Sequence, residues 1–260
     1  MSDSRVVVIT GASAGIGRAL ALQLGARGDR VVLAARREDL LDEVAARIGA
    51  SALVVPTDVT RRADIERLKE RAVAHFGHID VWINNAGRGI GRTVLELTDD
   101  DFDAIMAINV KSALYGMQAV VPHFIEQSRG HVINVSSFLS RVPMVTFRSA
   151  YNAAKAALNA LTANLRVDLA ATHPGIHVTL VMPGIVTTDF LRNALGATPA
   201  PVPALRPGVP PGQTAEEVAA AIVGVIDTPV AEIYTNSQHP AIARRYFEDV
   251  GAFERAQQLA

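Results

Sequence analysis

The sequence predicts an α/β protein with a doubly wound parallel sheet and helices on both of its faces. Short β-branched runs recur through the first two thirds of the chain, and such near-continuous apolar runs are typical of parallel strands covered on both sides. Helical stretches separate these runs, and strand–helix alternation implies right-handed crossovers. The chain has 260 residues, of which 49% are hydrophobic, and this is enough to build a single domain over residues 1–260.

The predicted strands and helices follow one another in regular order. Asp or Thr lies near several predicted helix starts and Gly near several ends, as helix capping requires. The predicted strands cover 5–10, 30–35, 51–56, 79–84, 130–137, 176–183 and 231–236. The predicted helices cover 16–28, 37–49, 62–77, 98–124, a stretch that begins at Tyr151, and 215–226. A polar C-terminal tail is expected over about 236–260.

Charge and composition narrow the classes of function. The net charge of −1 gives no basis for binding nucleic acid or an anionic membrane. The absence of cysteine excludes disulfides, thiol nucleophiles and cysteine-based zinc sites. His75 and His78 lack further ligands, so no metal site is expected. The N-terminal apolar run is too brief for a signal peptide and no apolar run approaches the ~18 residues of a membrane span, so we expect a cytoplasmic protein.

A proline-rich stretch at 193–214 interrupts the alternation of strands and helices. Its six prolines forbid a regular element, and the stretch is longer than an ordinary connection. Two interpretations stand: a flexible surface loop, or a lid over a substrate site that spans about 188–213.

A glycine-rich loop joins the first predicted strand to the first helix. In this position glycines allow a tight turn and let the backbone approach a pyrophosphate, which then lies at the positive end of the helix. The Lys-Ser/Thr pair of a nucleoside-triphosphate loop is missing. The loop therefore predicts a Rossmann-type dinucleotide site. Its candidate contacts are Gly11, Ser13, Gly15, Ile16 and Gly17.

Two arginines follow the second predicted strand, where dinucleotide sites usually carry an acidic residue that binds the adenosine ribose. Arg36 and Arg37 occupy this position, and guanidinium groups can pair with a 2′-phosphate, whereas a carboxylate would repel it. This pattern favours NADP over NAD. The alternative is that both arginines are solvated residues at a helix start, beside Glu38 and Asp39.

Further motifs follow the glycine loop in a fixed order. They are Asn84-Asn85-Ala86-Gly87 after the fourth predicted strand, Asn109 in a helix, Ser136-Ser137 at the end of the fifth strand, Tyr151-x-x-x-Lys155, and Met182-Pro183-Gly184 at the end of the sixth. This order resembles the short-chain dehydrogenase/reductase family in its single-domain form, over about residues 5–235. The resemblance implies an enzyme that acts on a CH–OH group with NAD(P).

The resemblance implies a catalytic set of Ser137, Tyr151, Lys155 and Asn109, with Ser136 as the alternative serine. Tyr151 is then the acid/base, Ser137 a donor that orients the substrate oxygen, and Lys155 a ligand of the nicotinamide ribose. Asn109 is expected to hold a water that relays protons through Lys155. Because a cation within about 4–6 Å lowers the pKa of a phenol, we expect Lys155 to favour the phenolate form of Tyr151.

The resemblance also implies cofactor contacts beyond the glycine loop. They are Asp58 and Val59 near the adenine, Asn85, Ala86 and Gly87 on the ribose side, Pro183, Gly184, Ile185 and Thr187 at the carboxamide, and Tyr151 and Lys155 at the nicotinamide ribose.

A set of apolar side chains is expected to line the substrate pocket. It comprises Phe138, Leu139, Met144, Val145, Phe147, Phe190, Leu191 and Leu195. This set fits a small-to-medium hydrophobic ketone or secondary alcohol, although packing of half of these residues in the core is the alternative. A 3-oxoacyl-thioester reductase and a non-catalytic NADP(H)-binding regulator are the other hypotheses. Arg88 and Arg148 either meet an anionic substrate or face solvent.

The helix that begins at Tyr151 has two notable faces. Small residues share one of them: Ala153, Ala156, Ala160, Ala163 and Val167. This face forms either a homodimer or homotetramer interface, as is common in the family, or a contact with the protein's own helices. On the other face, Asn159, Thr162 and Arg166 continue the line of Tyr151 and Lys155, and we expect that continuation to be solvated.

Overall fold

The computed structural model describes residues 4–188, 190, 193–196 and 212–258, and its strands form one sheet. The strands are β1 (Val6–Thr10), β2 (Arg30–Ala35), β3 (Ala52–Pro56), β4 (Val81–Asn84), β5 (Gly130–Val135), β6 (Ile176–Met182) and β7 (Glu232–Tyr234). Their order in the sheet is β3-β2-β1-β4-β5-β6-β7, and every neighbouring pair runs parallel. The chain winds outward in both directions from β1 and β4, so the predicted doubly wound α/β fold is confirmed.

Helices cover both faces of the sheet. Within the described residues they are α1 (Gly15–Ala26), α2 (Glu38–Ile48), α3 (Arg62–Phe76), α4 (Asp99–Met106), α5 (Ser112–Glu126), α6 (Ser149–Ala170), α7 (Ala215–Asp227), α8 (His239–Glu248) and α9 (Val250–Gln258). Successive residues of β1 face opposite ways: Val7 and Ile9 pack with α1, α2 and α7, whereas Val6 and Val8 pack with α3, α5 and α6. This two-sided burial explains why the strands read as continuous apolar runs.

The helix predicted over 98–124 is interrupted. A π-helical turn, Ala107–Lys111, separates α4 from α5, and such turns occur often at functional sites. The run Asp99–Glu126 contains an 18-residue window with a mean hydropathy of 1.3, which is long and apolar enough to cross a membrane by length and composition and corrects the expectation that no run reaches this length. More than half of that window, 56%, is buried inside the protein, as in the core helix of a folded domain.

The C-terminal segment expected as a polar tail forms two helices, α8 and α9. One side of α8 is apolar, and its Ala243 and Tyr246 are buried against Val142, which follows β5. The opposite side carries exposed charged residues, which hid the helical period in the sequence. The C-terminal helices therefore pack beside the loop that follows β5.

Candidate active site

The glycine loop and the loop after β4 are held together by Thr10. The Thr10 hydroxyl accepts hydrogen bonds from the backbone N–H groups of Asn85, at 3.0 Å, and Ala86, at 3.1 Å. The Asn85 side chain donates to the Thr10 carbonyl oxygen at 2.8 Å. The predicted contacts in 11–17 and 85–87 therefore lie side by side at the carboxyl ends of β1 and β4, where doubly wound sheets bind ligands.

Two features of the glycine loop fit a pyrophosphate. Ala14 stands at the capping position of α1, so no side chain of the described residues caps the first turn of this helix. The backbone N–H groups of that turn are therefore suited to binding an anion. The second feature is close packing: a Cβ at Gly17 would lie 2.3 Å from the Gly11 carbonyl oxygen. Gly11 itself has a φ of +72°, a conformation that favours glycine.

We expect Gly17→Ala to destabilise the protein by about 1–3 kcal/mol, because the added methyl group overlaps the Gly11 carbonyl. Gly224→Ala is the matched control, since Gly224 is also helical but nothing lies within 4 Å of an added Cβ. Alanine at that position should raise the free energy of unfolding by about 0.5–1 kcal/mol. Urea denaturation measures both changes, and equal effects would contradict the close packing at Gly17.

The two arginines after β2 are exposed, and one of them reaches the glycine loop. The Arg37 guanidinium donates to the Ser13 hydroxyl at 3.3 Å. This contact brings a positive charge to the loop from the end of β2. Arg36 lies beside it, also exposed.

The two serines at the end of β5 have different partners. The Ser136 hydroxyl is buried and donates to the Asn159 side-chain oxygen at 2.6 Å, which ties β5 to α6. The Ser137 hydroxyl accepts from the Leu139 backbone N–H at 3.2 Å and hydrogen-bonds with the Tyr151 side chain. Of the two, Ser137 is therefore the serine that lies against Tyr151.

Tyr151 and Lys155 lie in the first two turns of α6 and are both buried, with 8% and 3% exposure. The Lys155 Nζ lies 5.7 Å from the centre of the Tyr151 ring and donates to the Val135 carbonyl oxygen at 2.8 Å. This carbonyl ends β5, so the lysine connects the helix to the sheet directly before the serine pair.

Burial shifts the pKa values of both groups. It raises the pKa of Tyr151 to about 12, although the hydrogen bond with Ser137 and the nearby charge of Arg148 oppose the shift. Burial also lowers the pKa of Lys155 to about 7, because desolvation disfavours the charged amine. The expected lowering of the Tyr151 pKa by Lys155 is therefore not found, because desolvation dominates.

Asn109 lies in the π-helical turn Ala107–Lys111 and is 1% exposed. Its side-chain nitrogen donates to the Arg88 carbonyl oxygen at 2.9 Å, and its side-chain oxygen accepts from the Arg88 N–H at 3.3 Å. Gly87 fits between this side chain and Lys155, since an added Cβ would lie 2.8 Å from Asn109 Oδ1 and 3.4 Å from Lys155 Nζ. The π-helical turn thus brings Asn109 next to Lys155, and the regular helical pattern of the sequence did not reveal this turn.

In the polar stripe of α6 beyond Lys155, Asn159 and Thr162 are buried and Arg166 is half-buried, contrary to the expectation that the stripe is solvated. Asn159 and Thr162 are 8% and 0% exposed, and the Thr162 hydroxyl accepts from the Asn134 side chain at 2.9 Å. Arg166 donates to backbone carbonyls in β6 and next to β7. Asn159 and Thr162 can be buried because Ser136 and Asn134, near the end of β5, hydrogen-bond with them.

The other predicted cofactor residues lie after strand ends at the same edge of the sheet. The Asp58 carboxylate accepts from the N–H and the hydroxyl of Thr60, at 3.0 and 2.7 Å, and Val59 is buried. In the segment 183–187, the Pro183 carbonyl oxygen accepts from the Phe138 N–H at 2.8 Å. This bond connects the segment to the loop that follows Ser137.

The predicted substrate-pocket residues fall into two groups. Leu139, Phe190 and Leu195 pack around Tyr151, and the Phe190 and Tyr151 rings lie 5.5 Å apart in a T-shaped arrangement. Phe138 and Met144 instead pack with the C-terminal helices. Val145 is half-buried, Phe147 is exposed, and Leu191 lies outside the described residues.

Both ends of the proline-rich stretch contact loops of the site. Leu195 exchanges backbone hydrogen bonds of 2.9 and 2.8 Å with 89–91, and Gln213 exchanges bonds of 2.8 and 2.9 Å with 185–187. Residues 197–211, which form most of the predicted lid, lie outside the described residues.

Arg88 and Arg148 each donate to a backbone carbonyl. Arg148 is 7% exposed and donates to Ile90, whereas Arg88 donates to Asn193, both at 2.8 Å. Arg148 is therefore buried, and the alternative that it faces solvent is wrong.

His239 lies beside the site and was not singled out in the sequence. It begins α8, is 3% exposed, and its ring stacks on Phe138 at 3.9 Å. The single signal in the sequence is a histidine that precedes Pro240 at a helix start.

Two buried histidines predict a loss of stability in mild acid. Burial lowers the pKa of His131 to about 3 and that of His239 to about 4, from 6.5. The unfolded chain therefore takes up protons before the folded protein does, so this stability is complete above pH 6.5 and decreases as the pH falls toward 4. Within that pH window, we expect each histidine to lower the free energy of unfolding by about 1.4 kcal/mol for each unit by which the pH falls. Urea denaturation at a series of pH values measures this dependence.

Two variants separate this effect from general acid sensitivity. His239→Phe should reduce the slope of the free energy of unfolding against pH by the contribution of one histidine, because Phe cannot bind a proton. Phe247→Ala, which alters the exposed side of the same helix and removes no titratable group, should leave the slope unchanged. A slope that His239→Phe does not alter would contradict the assignment.

Comparison with known proteins identifies the family. A sequence model of the short chain dehydrogenase family matches residues 5–197. The chain belongs to this family. An uncharacterized oxidoreductase of Staphylococcus epidermidis is 38% identical over 189 residues, which are 73% of this chain and 81% of that protein. This short-chain dehydrogenase is thus an oxidoreductase that acts on CH–OH with NAD(P), and the hypothesis of a non-catalytic regulator is not retained.

Solved structures agree with the family and the fold. A short chain dehydrogenase/reductase from Burkholderia phymatum in complex with NAD has a TM-score of 0.85 at 28% identity, and the match covers 96% of this chain and 95% of that one. A 3-ketoacyl-(acyl-carrier-protein) reductase from Brucella melitensis complexed with NADH has a TM-score of 0.79 at 26% identity, with coverage of 89% and 97%.

Proposed function

We propose that this short-chain dehydrogenase interconverts a small-to-medium hydrophobic ketone and its secondary alcohol, with NADP(H) as the preferred cofactor. The observation that carries the proposal is the grouping of Ser137, Tyr151 and Lys155 next to Asn109, at the sheet edge that also holds the glycine loop.

Tyr151 is the acid/base of the proposed reaction. Its phenol gives a proton to the alkoxide that develops on ketone reduction, or takes one from the alcohol in the reverse direction. With a pKa of about 12 the phenol remains protonated at neutral pH, which is the form that ketone reduction requires. The nicotinamide, when bound, supplies or accepts the hydride.

Ser137, Lys155 and Asn109 support this proton transfer. The Ser137 oxygen accepts from the Leu139 N–H, which orients its own proton toward the substrate oxygen. Lys155 would contact the nicotinamide ribose and exchange protons with a water held at Asn109, and burial lowers the pKa of this amine toward neutrality. Ser137 follows β5, Asn109 lies in the π-helical turn and Lys155 lies in the second turn of α6, so secondary structure holds all three side chains in place.

The residues present fit a dinucleotide with a 2′-phosphate. The uncapped first turn of α1 and the side-chain-free Gly11 and Gly17 suit a pyrophosphate. The contact between Arg37 and Ser13 brings a guanidinium to this loop, where it would pair with the 2′-phosphate together with Arg36. Asp58 and Val59 would contact the adenine, and 183–187 would contact the carboxamide.

The proline-rich stretch is proposed as the substrate lid. Leu195 and Gln213 tie its two ends to loops of the site. Phe190 and Leu139, which pack around Tyr151, then form the apolar wall against which a hydrophobic substrate lies.

A homodimer or homotetramer is proposed through the small-residue face of α6. Its residues, Ala153, Ala156, Ala160, Ala163 and Val167, are all exposed, and Val167 is 73% exposed. Packing against the protein's own described helices therefore does not cover this face, and small side chains permit close approach of a second copy.

A 3-oxoacyl-thioester reductase is the second candidate. It is favoured by the likeness to the Brucella melitensis reductase, a match that covers 89% of this chain with a TM-score of 0.79. Such an enzyme would use the same Ser137, Tyr151 and Lys155 on a carbonyl that is carried by an acyl thioester.

A substrate panel tests the proposed function. Hydrophobic ketones, their secondary alcohols and a 3-oxoacyl-CoA are each assayed with NADPH or NADP and with NADH or NAD. We expect turnover of ketones with NADPH at a higher kcat/KM than with NADH. Turnover of the 3-oxoacyl-CoA alone would select the second candidate, and an NADH preference would contradict the role of Arg36 and Arg37.

A further inference from the structure

The imidazole of His239 is packed between two loops of the site. One face of the ring stacks on Phe138, with the ring centres 3.9 Å apart and an angle of 11° between the planes. On another side the ring lies against Gly184, where an added Cβ would be 2.2 Å from the His239 Cε1. The histidine therefore fills the space between the loop that follows Ser137 and the segment that follows β6.

These two loops are also joined directly, by the hydrogen bond from the Phe138 N–H to the Pro183 carbonyl oxygen at 2.8 Å. The His239 ring adds a packed contact on Phe138 and another on Gly184, the residue that follows Pro183. Tyr234 completes the cluster, since its ring lies 6.2 Å from that of Phe138 and 6.4 Å from that of His239.

The chemistry of the buried ring indicates packing rather than hydrogen bonding. His239 is 3% exposed, and its Nδ1 has no hydrogen-bond partner among the described residues. A neutral imidazole can stack flat in such a place, and a buried polar atom without a partner in a folded protein calls for an explanation. The stacking of this ring on Phe138, the residue next to Ser137, supplies one.

We propose that His239 is a positioning residue, which fixes the Ser137 loop against the Pro183–Thr187 segment by stacking on Phe138 and packing on Gly184. The C-terminal helix α8 thereby acts on the reaction without contacting substrate, through the orientation of Ser137. This inference rests on the proposed function, in which the Ser137 hydroxyl orients the substrate oxygen.

Two substitutions of similar size distinguish the ring from its nitrogens. His239→Phe keeps a flat ring that can stack on Phe138, and we expect a kcat within about 3-fold of the unchanged protein. His239→Gln removes the ring, and we expect a fall in kcat of about 10-fold, in line with the effect of a small misplacement in an active site. The Kd for NADPH, measured by fluorescence titration, should change by less than about 3-fold, because the glycine loop and the arginines, which bind the phosphates, lie elsewhere and the Pro183–Thr187 segment meets only the carboxamide. Phe247→Ala, on the exposed side of α8, is the control and should leave kcat unchanged.

A double-mutant cycle with Ser137→Ala decides whether His239 acts through Ser137. In the Ser137→Ala background we expect His239→Gln to lower kcat by less than about 2-fold. The proposal is overturned if His239→Gln lowers kcat equally in both backgrounds, if it has no effect in either, or if His239→Phe loses as much as His239→Gln. Full activity of Ser137→Ala by itself would instead contradict the proposed function, so the two failures are distinguishable.

Discussion

We expect Tyr151→Phe to lower kcat by about 10²–10⁴-fold, because it removes the one proton that the proposed reaction transfers and leaves the ring in place. The ring packs against Phe190 and lies within the first turns of α6, and Phe retains both contacts. NADPH affinity should therefore stay within about 3-fold of the unchanged protein. Initial rates with a ketone from the panel, together with fluorescence titration of NADPH, measure the two quantities separately.

Tyr115→Phe is the matched control for this substitution. Tyr115 lies on α5 with its ring under the Arg62 guanidinium, at 4.3 Å, and away from Ser137 and Lys155. Loss of its hydroxyl should leave kcat unchanged. Full turnover by Tyr151→Phe would remove Tyr151 from the mechanism.

We expect the double substitution of Arg36 and Arg37 by Ala to lower kcat/KM for NADPH by about 10²-fold or more, because two charge-assisted hydrogen bonds contribute about 1.5–3 kcal/mol each. The kcat/KM for NADH should change by less than about 3-fold, since NADH lacks the 2′-phosphate. Parallel initial-rate measurements with both cofactors show whether the preference is lost.

Arg47→Ala serves as the control for charge. Arg47 is exposed in the last turn of α2, the helix that begins directly after Arg37, so its removal takes one positive charge from the same helix, against two in the double variant. We expect this variant to keep the NADPH preference. If the double variant discriminates between the cofactors as the unchanged protein does, the two arginines are solvated helix-start residues.

The strands were predictable from the sequence because both faces of the sheet are buried. In β1, Val6 to Ile9 are all inaccessible to solvent, so no polar residue interrupts the apolar run. The glycine loop was predictable for a different reason: Gly11 and Gly17 meet backbone and Asn85, where no side chain fits. Both features were therefore predictable from residues that are adjacent in the sequence.

The features that the sequence did not reveal depend on contacts between distant residues. The π-helical turn around Asn109 has the same residue types as a regular helix, and the burial of Asn159 and Thr162 follows from polar side chains that β5 presents. His239 lies about 100 positions beyond Phe138, and only the packing of α8 brings the two rings together. Periodicity along one helix carries no information about such partners.

Transfer of hydrogen from the cofactor to carbon is the central claim, and isotope labelling tests it most directly. The measurement uses NADPH with deuterium at both positions of nicotinamide C4, a ketone from the panel, and mass spectrometry and NMR of the alcohol that forms. We predict one deuterium on the carbinol carbon with the unchanged protein, and no alcohol above the residual rate with Tyr151→Phe. Alcohol without deuterium on that carbon, or equal labelled product from Tyr151→Phe, would contradict the account.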